Sequence, residues 1–85
     1  MRADAVMFAV KRDDADAVAA VLEQLRLARQ TYPKQLTIYE RMTVLTEEVG
    51  EVARAILDNE GANRIAEEAA QVAAVAIRIM TEHAE

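Results

Sequence analysis

The apolar positions of this chain recur at three- and four-residue intervals over most of its length, the period of helices buried along one face. Val18, Val21, Leu22, Leu25 and Ala28 keep that spacing behind Asp13, Asp14 and Asp16. Those aspartates suit an N-cap and the positive end of a helix dipole, so they read as a capped, solvated helix start. Pro33 keeps the residue before it out of the α region, which ends the first helix near Thr31. A second helix is expected from Leu36 or Thr37 to Asn59, with Gly61 as its stop. Asn63 can cap a third helix from Arg64 to about His83. Residues 1–12 contain a short apolar run, Ala5 to Val10, which fits an N-terminal arm or a short helix. The expected main helices are thus 14–31, 37–59 and 64–83, in a single domain covering 1–85.

The third helix bears on assembly. Ile65, Val72, Val75, Ala76 and Ile79 form one face at helical spacing. Ala66, Ala69, Ala73, Ile77 and Met80 cover the opposite side, leaving a narrow polar strip with Glu67 and Arg78. A helix apolar nearly all round has to be buried nearly all round, and two partner helices cannot enclose it. The expected fold is therefore all-α: a small antiparallel bundle of three main helices, completed by homo-oligomerisation as a homodimer or homotetramer.

Composition agrees with this fold class. Two glycines and one proline in 85 residues leave few helix breakers, and 53% of the chain is hydrophobic. A chain this short builds a thin core, and without cysteine it has no disulfides to reinforce it. The net charge of −5 argues against a nucleic-acid partner, since phosphate backbones are held by clustered Lys and Arg. It is compatible with holding a nucleotide through a divalent metal. The longest apolar-rich run, Ala69 to Met80, is interrupted by Gln71 and Arg78 and is too short for a bilayer. No signal peptide is evident at Met1, so a cytoplasmic protein without a membrane partner is expected.

Polar residues inside the apolar faces carry the candidate chemistry. With Glu48 at the origin of a helical wheel, Val44, Val52 and Ala55 fall within about 40° of it. Glu51 sits at the edge of that arc, near about −60°, and Glu47 further out near about −100°. The third helix repeats the arrangement: Val72, Val75 and Ile79 lie within about 40° of Glu68, and Gln71 lies near about −60°. An unpaired carboxylate on such a face costs several kcal/mol or protonates. Two facing carboxylates also repel. A divalent cation removes both problems, and four oxygen ligands suit Mg²⁺ or Mn²⁺. An arginine can do so as well. Arg41 lies about 20° from Glu48, and Arg64 about −40° from Glu68.

Glu47-Glu48-Val49-Gly50-Glu51 is followed, after sixteen residues, by Glu68-Ala69-Ala70-Gln71. This pair resembles the EExxE and ExxD signature of the MazG-like and dimeric dUTPase-like all-α nucleotide pyrophosphohydrolases. The strings LTEEVGEVARAI and EEAAQVAAVAIRI resemble the compact MazG-like members in particular, and the likeness covers roughly residues 20–83. It implies an enzyme that hydrolyses a nucleoside triphosphate to the monophosphate and pyrophosphate, in the service of clearing unwanted nucleotides. It also implies metal ligation by Glu48, Glu51 and Glu68, with Gln71 where the family motif has aspartate. A neutral amide there lowers metal affinity. Glu47 becomes the candidate to position the attacking water. Arg41 is the first candidate for phosphate, followed by Arg78, with Gln30 and Lys34 bordering a base or phosphate pocket. Tyr32 and Tyr39 read as packing residues, with base stacking as their alternative, and His83 as solvated. Two other functions remain open: a non-catalytic nucleotide-binding relative, favoured by Gln71, and a helical oligomeric interaction module with its acids paired to arginines.

Overall fold

The computed structural model describes residues 13–83. The expected N-terminal arm or short helix, 1–12, lies outside them. The described residues are all-α, with helices α1 (Asp14–Thr31), α2 (Ile38–Leu57) and α3 (Ala62–Glu82) and no strand. None of these helices is long and apolar enough to cross a membrane.

Local chemistry sets the helix ends. Asp13 is extended, and its Oδ1 accepts from the Asp16 amide at 2.8 Å, the N-cap anticipated for α1. The last bond of α1 runs from the Tyr32 amide to the Ala28 carbonyl, and Pro33 follows. Thr37 starts α2 through a capping box: the Glu40 amide donates to Thr37 Oγ1 at 3.1 Å, and the Thr37 amide to Glu40 Oε1 at 2.9 Å. At its far end Asn59 takes a left-handed φ of 54°, the Glu60 amide bonds the Ala55 carbonyl and the Asn59 amide the Ile56 carbonyl. This is a Schellman closure with asparagine in the place glycine more often fills.

Gly61 is the N-cap of α3, at φ 96°, where a side chain would strain the backbone. Asn63 does not cap this helix, contrary to expectation. It lies in the first turn, with no side-chain cap bond present and its Oδ1 buried without a partner. A backbone-only start at Gly61 lets α3 begin at Ala62, two residues earlier than the spacing suggested.

Helix α3 is the centre of the fold. Both α1 and α2 pack against it, and they do not pack on each other. Leu25, Ala55, Ala70, Ala74 and Val75 are the buried apolar residues, so three of the five contribute only a methyl group. Met80 on α3 remains 72% exposed, Ala69 is also exposed, and Arg78, expected on a polar outer strip, is only 3% exposed. The reason is geometric: α1 and α2 close over the Arg78 side of α3, so its guanidinium is enclosed, and the Met80 side faces outwards. Val49 and Ile56 on α2 are also exposed.

Candidate functional site

Arg41, Val44, Glu48, Val52 and Ala55 form the inward face of α2, all buried or half-buried. The wheel around Glu48 therefore holds in three dimensions. On α3, Glu68 is 3% exposed, and Gln71, Val72 and Val75 are also covered. Glu51 is exposed, yet its charge acts on both Glu48 and Glu68. The packing of α2 on α3 thus brings Glu48, Glu51 and Glu68 into one electrostatic neighbourhood. Glu47 is exposed at its margin and adds to the negative field on Glu48.

Burial pushes the Glu48 carboxyl above its ordinary pKa, and the charges of Glu68, Glu51 and Glu47 push it the same way. Its Oε2 is buried with no hydrogen-bond partner. Glu68 is also raised, first by burial. Arg64 opposes the rise, and the charges of Glu51, Glu67 and Glu60 add to it. The Arg64 Nη2 lies 3.2 Å from Glu68 Oε1, and the same guanidinium pairs with Glu67 and Glu60. Of the two arginines that could have neutralised the acids, Arg64 does so for Glu68. Arg41 does not do so for Glu48: its Nη2 turns to Glu82 Oε1 at 3.1 Å. Among the described residues no three acidic or histidine side chains form a ready metal cage. The unpartnered Glu48 oxygen is a hard donor of the kind a divalent cation takes, and the charges of Glu51 and Glu68 act on it.

Beside these acids a cleft of about 790 Å³ opens where α1 and α2 stand apart over α3. Leu27, Ala28, Tyr32, Pro33 and Leu36 are among its apolar lining residues, and Lys34, Arg41, Glu48, Gln71 and Arg78 among its polar ones. A mixed lining of this kind suits a small polar ligand with an apolar part. Lys34, Arg41 and Arg78 line the cleft. Gln30 does not. It is exposed, while Gln24, Leu27, Ala28 and Thr31 are the α1 residues that reach the lining. The helical turn explains this, since Leu27, Thr31, Gln24 and Ala28 span an arc of about 100° on α1 and Gln30 lies about 60° beyond its Leu27 edge. Tyr32 lines the cleft while largely exposed, and Tyr39 is exposed, so neither is a core residue. His83 is half-buried, with Nε2 enclosed and unpartnered, not solvated.

The residue that sequence reasoning missed is Glu82. It accepts from Arg78 Nε at 2.7 Å, Arg41 Nη2 at 3.1 Å and Arg29 Nε at 3.4 Å, so one carboxylate ties together all three helices. These bonds hold its carboxyl below the usual range, the Arg78 bond most of all. The i, i+4 spacing of Arg78 and Glu82 was the available signal. The links to Arg29 and Arg41 are long-range and had none.

The described residues define a small all-α protein with a ligand-sized cleft that is lined by one carboxylate, Glu48, and by Lys34, Arg41 and Arg78, while Glu51 and Glu68 lie outside the lining. No family model matches the chain, and no curated protein or solved structure proves similar to it.

Proposed function

We propose that the chain is a metal-dependent nucleoside triphosphate pyrophosphohydrolase of the cytoplasm, converting a nucleoside triphosphate to the monophosphate and pyrophosphate. The single observation carrying this reading is the buried, unpartnered Glu48 Oε2 beside Glu68 and Glu51 at the edge of a mixed cleft. A desolvated carboxylate repelled by two others gains most from a cation. Glu48, Glu51, Glu68 and the Gln71 amide oxygen would hold Mg²⁺ or Mn²⁺. The ion would neutralise the triphosphate and increase the electrophilicity of its α-phosphorus. Glu47, exposed next to Glu48, would orient water and accept its proton. Lys34, Arg41 and Arg78 face the phosphates, and Tyr32 with Leu27 and Leu36 the base.

The working form is an antiparallel bundle completed by a second copy, as a homodimer or homotetramer. Support comes from the thin buried core and from the exposed side chains of Val18, Leu22, Val49, Ile56 and Met80. The test is pyrophosphate release from each common nucleoside triphosphate with Mg²⁺ or Mn²⁺. Turnover that vanishes in Glu48→Ala supports the enzyme; no turnover with any nucleotide and metal refutes it. A second reading, a nucleotide-binding relative without catalysis, is favoured by Gln71 and by the Arg64–Glu68 pair. It is distinguished by nucleotide-dependent thermal stabilisation without product.

A further inference from the structure

Arg29, Arg41 and Arg78 converge on the single carboxylate of Glu82. Three guanidiniums against one carboxylate leave two formal positive charges in excess. Arg29 is 44% exposed and screened by water, but the Arg41 and Arg78 side chains are each only 4% exposed, so the excess they carry over Glu82 is screened poorly. Arg78 is held on two sides, by Glu82 through Nε and by the Tyr32 carbonyl through Nη2 at 3.1 Å. Arg29 is held by Glu82 and by Thr81 Oγ1 at 3.1 Å. Arg41 is different: its Nη2 reaches Glu82, but its Nε is buried with no partner at all. Arg41 and Arg78 are also the two members of the group that line the cleft.

We infer that this cluster is an anion site for phosphate-class ligands, which fills without any metal. Glu82 and the Tyr32 carbonyl hold the guanidiniums in place from behind, and the cleft side supplies the missing counter-charge. Arginine suits the task because its planar fork meets two phosphate oxygens at once and stays charged at every relevant pH. A dianionic or polyanionic group would balance the two excess charges, which one carboxylate does not. The inference deepens the proposed function, and rests on it only for the anion being the phosphate tail of a nucleotide. The anion site itself requires neither a metal at Glu48, Glu51 and Glu68 nor any hydrolysis.

The test uses the full chain in EDTA, titrated calorimetrically with inorganic tripolyphosphate, while the arginine Nε–H signals are followed by NMR. The expected result is saturable binding that weakens with added salt and moves the Arg41 and Arg78 signals. Arg41→Gln is expected to weaken binding by tenfold or more, and Arg41→Lys to restore part of it. Should Arg41→Gln fail to fold, the wild-type titration decides alone. No saturable binding, or binding that leaves both arginine signals unmoved, overturns the inference. A parallel titration with a nucleoside triphosphate separates the sources. Tighter binding than tripolyphosphate assigns the site to a nucleotide tail, and equal or weaker binding assigns it to free polyphosphate. Loss of hydrolysis in Glu48→Ala with metal-free binding intact would leave the anion site standing, and the two proposals therefore fail separately.

Discussion

Arg64 and Glu68 stand one helical turn apart on α3, with Arg64 Nη2 3.2 Å from Glu68 Oε1. The guanidinium is half-exposed and has Glu60 and Glu67 as alternative partners, while the Glu68 carboxylate is almost fully covered. Under the proposed metal-dependent function, Arg64 competes with the cation for Glu68. A metal arriving at Glu68 has to displace it, and the acids at Glu60 and Glu67 allow it to move at little cost. Arg64→Gln is expected to tighten Mn²⁺ binding several-fold, measured calorimetrically on the nucleotide-free protein. Unchanged affinity would show that the arginine does not compete.

Glu48 makes the opposite kind of prediction. Its folded pKa is raised, so the unfolded chain loses its proton first as pH rises. The protonated carboxyl's advantage is present below the unfolded pKa and is lost as pH climbs through the folded value. At neutral pH without metal, the Glu48 carboxylate therefore destabilises the fold. Glu48→Gln should raise stability by roughly 1 kcal/mol, about 4–8 °C in melting temperature for a domain this size. The same variant should abolish any Mg²⁺-induced shift in Tm. A destabilised Glu48→Gln protein in EDTA would contradict the account of burial and repulsion.

Glu82 behaves in the reverse sense. Its folded pKa is depressed by Arg78, Arg29 and Arg41, so its stabilisation is present above the unfolded pKa and lost as pH falls through the folded one. Acid titration should weaken the junction of the three helices below the ordinary carboxylate range. Glu82→Gln at neutral pH leaves Arg41 and Arg78 enclosed without counter-charge and should cost roughly 3 kcal/mol or more. Urea denaturation of the two proteins measures the difference, and a cost below about 1 kcal/mol, the size of a surface pair, would show that the junction is not a buried network.

Val18 and Leu22 lie one turn apart on α1, both more than half exposed. Their exposure, with so little large apolar volume buried elsewhere, argues for a covering copy of the chain. Light scattering after size exclusion should give a dimer or tetramer at micromolar concentration. Val18→Glu with Leu22→Glu should shift it towards monomer and lower its melting temperature. A monomeric wild type at every concentration tested would remove the oligomer from the proposal.

Much of the fold was legible from local rules. The boundaries at Asp13 and Pro33 followed from capping and proline sterics, which act within a few residues, whereas α2 ends at Leu57, closed by left-handed Asn59 and not by Gly61 as expected. The inward face of α2 was also legible, since Arg41, Val44, Glu48 and Ala55 share one side of any regular helix. Asn63 was misread because Asn is a frequent cap, whereas Gly61 supplied the turn into α3 without one. Gln30 was misread because a helix end near a proline says nothing about which side chains face a neighbour.

The sequence by itself determined three helices, their approximate extents, and the presence of Glu48 and Glu68 on largely apolar faces. Periodicity and capping are properties of a segment alone, so they survive any arrangement of the segments. Only the tertiary structure decided which arginine meets which acid. Arg41 shares a face with Glu48 but pairs with Glu82 forty-one residues away, and Glu82 also takes Arg29 and Arg78. The cleft had no trace in the sequence either, because it arises from the separation of α1 and α2 across α3, a relation between helices that no single segment encodes.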